Sequence, residues 1–403
     1  MRSKFVSRAY KPLSAEEKIA LAIDRFSRLC KGGNLTPIEE LAQKYDRAPA
    51  VVSRAIVSAF RAGLVAVRPS VLVEPEIDRN LERELLSRYP RLLDCRIVKS
   101  QTLSGDRRIL GDDLHTQLGA VAATFVATTA FIQDGDAVAI GGGRAVFSFV
   151  RTINHTPLRV EGVTLLSASG DNYASDHAGR INTSLDADAH VNSFSLAFAQ
   201  RVICKYMSYC LACSTPEAQQ QALLSTWVHS DRLFNHKRLK GIMGVGVFAE
   251  GHRLYQEANA NSATREPRFD PIRSSLQKLR DYCNEAAQGG YIPIADIANN
   301  FIFVEPLPTH SLRDDLRRKI IRQIETINNH LIVVGEDTLK RMHSILLIAG
   351  TQTKASAIQF ILNGSQLPVK YLVTDESTCN HLLTAAASTS ARPRSRAAGA
   401  GKV

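Results

Sequence analysis

Apolar residues recur every three or four positions near the start of the chain. In SAEEKIALAIDRFSRLC (residues 14–30) they are Ile19, Ile23, Phe26 and Leu29, the period of an amphipathic helix. Ser14 and Glu17 are spaced as a capping box at its head. KGGN breaks the pattern, and LTPIEELAQKYDRAPAVVSRAIVSAFRAGLV (35–65) resumes it as two short helices. Thr36 suits the N-cap, Pro37 the first helical position, and Glu39 and Glu40 the positive end of the dipole. Leu41, Ala42 and Tyr45 form the inward face, and the chain turns at Asp46–Arg47. The second helix begins near Ala48 or Pro49, turns Val52, Ile56 and Ala59 or Phe60 inward, and ends at Gly63. IDRNLERELLSRY (77–89) is a further amphipathic helix.

From about residue 95 the pattern changes. Short apolar runs alternate with longer helical stretches: DAVAIGG, VEGVTLLSA, LKGIMGVGVF, HLIVVGE, SILLIAG and VKYLVTD. Strands separated by helices predict an α/β fold, a mainly parallel sheet covered on both faces. The expected division is a helix-turn-helix domain over 1–70, a linker helix over 71–94 and a Rossmann-like α/β domain over 95–385. The small, basic tail over 386–403 has a disordered composition.

Two short helices joined by a tight turn, the second one basic, predict a DNA-binding helix-turn-helix. Arg47, Ala50, Val51, Ser53, Arg54 and Arg61 are left facing outward. Arg54 has the reach for a guanine edge or a phosphate, Ser53 can donate to a phosphate oxygen, and Val51 can touch a thymine methyl. Charge supports this placement. Residues 1–70 hold 13 Lys/Arg against 6 Asp/Glu, whereas 71–385 hold 33 of each sign. The excess of the +11 chain therefore lies on the head and tail, where a polyanion would be met.

Other classes fall away. No apolar run is long enough to cross a bilayer and no secretory leader pattern opens the chain, so a cytoplasmic protein is expected. Seven scattered cysteines do not form a disulfide framework. CLAC (210–213) has no second ligand pair at zinc spacing, so no metal is expected. No cofactor is expected either.

AIGGGRAVFSF (139–149) reads as a strand, a sharp turn and a helix start. Gly141, Gly142 and Gly143 let backbone N–H groups approach an anion, and Arg144 can add a bidentate contact.

LAQKYDRAPAVVSRAIVSAFRAGLV resembles the N-terminal helix-turn-helix of the SorC-type sugar-binding transcriptional regulators, relatives of the DeoR type. The resemblance continues through LHTQLGAVAATFVATTAFIQDGDAVAIGGGRAVFSFV, GYIPIADIANNFI and SILLIAGTQTKASAIQFILNGSQLPVKYLVTDESTCNHLL. It implies an effector domain with the fold of sugar-phosphate isomerases and deaminases, acting as a sensor. The implied partners are operator DNA, a sugar, polyol or sugar-phosphate effector, and further copies of the chain in a dimer or tetramer.

On that reading the loops GGGR, GTQTK and TDE meet at the carboxyl edge of the sheet. Gly350 and Lys354 would face the anion, and Asp296, Asp375 and Glu376 would accept from hydroxyls. Asp171, in the polar turn Ser169–Asn172, would line the same pocket. Ala145 stands where the family carries a hydroxyl residue. The alternative is a sugar-phosphate isomerase or deaminase with an appended helical domain, Asp296 or Asp375 serving as base. A dehydrogenase fits less well, because GGGR lacks the full dinucleotide-binding spacing.

Overall fold

A computed structural model describes residues 13–27, 36–61, 75–99, 107–154, 158–170, 174–175, 181–182, 186–207, 211–229, 238–288, 292–305 and 312–390. The chain forms two compact units, 1–74 and 75–403.

The first unit contains α1 (Ala15–Ser27), α2 (Ile38–Lys44) and α3 (Pro49–Arg61). Leu21, Leu41, Ala42, Val52, Ala55 and Ile56 form its core. The capping box is made as expected. Ser14 N–H donates to Glu17 Oε2 at 2.7 Å, and Glu17 N–H donates to Ser14 Oγ at 3.1 Å. Thr36 departs from expectation. Pro37 is the N-cap residue of α2, and the buried Thr36 hydroxyl donates instead to the Asp24 carbonyl at 2.9 Å. Asp24 also accepts from Lys44 at 2.6 Å and from Tyr45 at 2.5 Å, so one carboxylate ties α1 to α2. Asp46 takes φ 47° in the turn between α2 and α3, a conformation that Asp tolerates better than most residues.

The second unit opens with α4 (Arg79–Arg88), whose N-cap Asp78 accepts from the Asn80 and Leu81 N–H groups. There follow β1 (Asp94–Val98), α5 (Arg107–Thr128), β2 (Ala137–Ile140), α6 (Arg144–Ile153) and β3 (Thr164–Ser167). Next come β4 (Ala174–Ser175), β5 (Ile181–Asn182), α7 (Ala187–Ser195), β6 (Ile203–Lys205) and α8 (Pro216–Leu224). Then come β7 (Leu239–Gly244), β8 (Gly246–Val247), α9 (Arg253–Asn259), α10 (Asp270–Ala287), β9 (Ile294–Ile297) and β10 (Asn300–Phe303). The unit closes with α11 (Asp314–Asn328), α12 (Glu336–Lys340), β11 (Ser344–Ile348), α13 (Ala355–Asn363), β12 (Val369–Asp375) and α14 (Glu376–Ser390).

Seven strands form one sheet in the order β1–β12–β11–β7–β2–β3–β6, every neighbouring pair parallel. Strands β2, β3 and β11 are buried throughout. Ala137 and Ala139 pack into the core on one face, and Val138 and Ile140 into the core on the other. That two-sided burial is why these runs read as continuous rather than alternating. After β2 the chain builds outward through β3 and β6, then returns to lay β7 on the other side of β2. The reversal opens a crevice at the carboxyl ends of β2 and β7, where open α/β sheets bind ligands.

LKGIMGVGVF divides at Val245 between the main sheet and an antiparallel sheet, β10–β9–β8. HLIVVGE forms no strand. Leu331–Val334 are buried, but their backbone pairs with loops: Ile332 N–H donates to Leu211 C=O at 2.7 Å, and Val334 N–H to Ala168 C=O at 2.9 Å. A short apolar run satisfies its peptide groups equally well in either setting, so its composition did not decide the matter. α14 continues to Ser390, into the stretch read as disordered, because TAAASTS carries no helix breaker. Residues 391–403 lie outside the described residues.

Candidate functional site

The glycine loop leaves β2 at the crevice. Gly143 takes φ 100°, a conformation that favours glycine, and precedes the first turn of α6 without any side-chain cap. A Cβ on Gly141 would lie 3.2 Å from Met243 Sδ, so the loop runs close against β7. The Gly141 carbonyl accepts from Nδ1 of the buried His190 at 2.9 Å, so α7 fixes the loop from behind. Arg144 is exposed at the start of α6. Ala145 is buried in the core beside Val146 and Phe149, so its side chain belongs to packing rather than to the crevice.

The second wall follows β11. Gly350 has no room for a side chain, since a Cβ there would lie 2.5 Å from Asp375 Oδ1 and 2.8 Å from Leu118 Cδ1. Thr351 takes φ 92°, which a β-branched residue adopts only under constraint. The constraint is Asp375, whose Oδ1 accepts from Thr351 N–H at 2.8 Å and from the Thr378 hydroxyl at 2.6 Å. Its Oδ2 accepts from the Ser377 hydroxyl and from Thr378 N–H at 3.3 Å. Asp375 is buried, and both its oxygens are engaged by protein donors. In this structure it serves as cap and clamp. Glu376, half-buried, begins α14.

Lys354 closes the turn immediately before α13. Among the described residues no hydrogen bond or ion pair to its amine is found. Desolvation is the main cause that brings its pKa down to about 8, with Asp296 and Asp375 pulling it up and Arg144 pushing it down. Arg144, Asp296 and Asp375, far apart in sequence, therefore all lie close enough to Lys354 to act on its charge.

The third wall is Asp296 on β9. It lies over Gly246, where a Cβ would come within 3.0 Å of Asp296 Oδ2. The same oxygen pairs with His252 Nε2 at 3.0 Å. His252 Nδ1 accepts the Leu254 N–H at 3.2 Å, capping α9. That assigns the ring proton to Nε2, which donates to Asp296. Asp296 Oδ1 is buried with no hydrogen-bond partner among the described residues. His252 was missed by the sequence reading. It stands 44 residues from Asp296 and carries no motif spacing, so only the fold reveals the pair. Ser169 is buried and accepts from Asn299 Nδ2 at 3.1 Å, whereas Asp171 lies outside the described residues.

On α3, Ala50, Ser53 and Arg54 are exposed and Val51 is half-buried. Arg54 Nε donates to the Ala50 carbonyl at 3.1 Å, and Arg47 lies 3.8 Å from Glu17. Both are long-range or exposed contacts that a phosphate can displace. The Arg61 side chain lies outside the described residues.

No protein-family model and no curated protein matches the chain. Solved structures do. The full-length sorbitol operon regulator SorC from Klebsiella pneumoniae aligns with a TM-score of 0.52 at 14% identity, over 92% of this chain and 99% of that one. The sugar-binding domain assigned to a transcriptional repressor from Vibrio fischeri aligns at 0.53 and 14% identity, over 77% of this chain and 100% of that one. A transcriptional regulator from Streptococcus pneumoniae aligns at 0.52 and 16% identity, over 76% and 96%. The chain therefore shares the fold of its mainly parallel α/β domain with these structures, and the likeness to the full-length Klebsiella protein extends over 92% of the chain.

Proposed function

We propose that the chain is a DNA-binding transcriptional regulator of the SorC type, whose hold on its operator is set by an anionic sugar, polyol or sugar-phosphate effector. The observation that carries this reading is Lys354. A half-buried lysine without a close counter-ion, on a turn at the carboxyl edge, costs stability, and binding sites are where such a cost is retained. It stands at the carboxyl edge of the sheet, facing the field of Arg144, with the glycine loop beside it. Gly141, Gly142, Gly143 and Gly350 admit backbone close to the ligand. Asp296, through its open Oδ1, and Glu376 would accept from ligand hydroxyls.

The helical head would carry DNA on α3 through Ser53 and Arg54, with Ala50 and Val51 against the bases. Pairs of such heads read repeated half-sites about 34 Å apart, so a dimer or tetramer in the cytoplasm is the working form. A sensor is favoured over an isomerase or deaminase by Asp375. One of the two acids that could serve as base has both oxygens committed to protein donors.

A thermal-shift screen of sugars, polyols and their phosphates tests the pocket. At least one phosphorylated compound should stabilise the wild-type protein and leave Lys354→Met unmoved. Uniform silence, or equal stabilisation of the variant, would reject the site.

A further inference from the structure

Two helices begin on the pocket edge: α13 directly after Lys354, and α14 directly after Asp375. Both are held elsewhere along their length by the same short segment of chain. Tyr89 is the C-cap residue of α4, and its buried hydroxyl donates to the Leu382 carbonyl of α14 at 3.1 Å. Arg91 spreads its guanidinium over the far end of α13. It donates to the carbonyls of Leu362 at 3.4 Å, Ser365 at 2.9 Å and Leu367 at 2.7 Å. Leu93 N–H then donates to the Lys370 carbonyl at 2.8 Å, at the start of β12. The helix before this segment is the first of the α/β unit, four residues after the unit begins at Pro75. The entry is itself anchored, because Asp78 N–H donates to Ile97 C=O at 2.9 Å and Lys99 N–H to Glu76 C=O at 2.8 Å.

We propose that Tyr89 and Arg91 are the coupling residues that carry the state of the effector pocket to the point where the chain enters the α/β unit. This rests on the pocket reading above and adds the route by which the pocket is heard. The movable element is the Gly350–Thr351 turn. Thr351 N–H is held by Asp375 Oδ1 at a backbone angle that the residue does not favour. An anion against the Thr351–Lys354 turn offers that N–H a second acceptor. When the N–H turns to the anion, Thr351 relaxes and Asp375 loses one donor. The same carboxylate caps α14 through Ser377 and Thr378, so the first turn of α14 repositions with it. Helices transmit small axial shifts along their length. Midway along α14, at Leu382, the shift meets the Tyr89 hydroxyl, and Arg91 ties in the end of α13.

Hydrogen–deuterium exchange on the full chain tests this, with fructose 6-phosphate and with inorganic phosphate as probes. In wild-type protein, a probe that slows exchange over residues 349–354 by about threefold should also change exchange over 79–92 by about twofold or more. Tyr89→Phe and Arg91→Met should keep the response at 349–354 and lose the response at 79–92, while Arg91→Lys restores part of it. A response at 349–354 with none at 79–92 in wild type overturns the coupling. An undiminished response at 79–92 in both loss variants also overturns it. Silence at both segments with both probes rejects the pocket itself and the coupling with it, so the two failures are told apart.

Discussion

Lys240 is buried and Lys354 half-buried, at opposite edges of the same sheet. Lys240 lies near the amino end of β7, where Asp136 Oδ2 is 2.7 Å from its amine and the Phe131 carbonyl accepts from it. Asp136 is also met by Arg238 at 3.2 Å and by Gln133 N–H at 2.7 Å. Lys354, at the carboxyl edge, has neighbours of both signs at a distance and no ion pair among the described residues. A buried charge that is neutralised on the spot is part of the scaffold. One left without a partner raises the energy of the ligand-free protein and offers that energy to an incoming anion. Backbone constraint falls on the same turn as Lys354, where Thr351 takes φ 92°.

Substituting the two lysines alike sharpens the comparison. Lys240→Met strands Asp136 in the interior and should destabilise the protein by about 3–5 kcal/mol in urea unfolding. Lys354→Met removes an unpaired, half-buried cation and should stabilise the ligand-free protein by about 1 kcal/mol while abolishing its response to anions. Equal destabilisation by both would erase the distinction. The smallest effect is in the pH profile. The folded amine titrates near 8 and the unfolded amine near 10.5, so between those values the unfolded state binds more protons. Wild-type stability should therefore rise with pH across that window relative to Lys354→Met, and the cost of the charge is full below about 8. Anion binding should weaken over the same rise, as Lys354 loses its charge.

Much of this architecture is legible in the chain. The apolar runs at 137–140, 344–348 and 369–375 became neighbouring or near-neighbouring strands of one parallel sheet. Ser14 and Glu17 met as a capping box because local spacing alone determines that contact. Tertiary choices were not legible. Thr36 has the chemistry of a cap but found a better acceptor in Asp24, 12 residues away. The run at 331–334 has the composition of a strand but pairs with loops. At the site, a lysine after a glycine turn is a local signal, whereas the His252–Asp296 pair depends on β8 and β9 being brought into register. Asp375 shows the limit of residue type as a guide. An acid at a strand end suggests ligand contact, and only its four donors reveal the clamp.

The most direct measurement is the affinity of the full-length protein for a duplex that it has itself selected from a random-sequence pool, read by fluorescence anisotropy with and without a panel of sugar phosphates. Wild type should bind the duplex with a Kd that at least one compound shifts by about tenfold. Arg54→Ala should weaken binding in every condition and lower the salt slope by about one. Lys354→Met should bind the duplex as wild type does and ignore the compound. A Lys354→Met protein that still responds, or a wild type whose hold on DNA no sugar phosphate alters, would contradict regulation through this pocket.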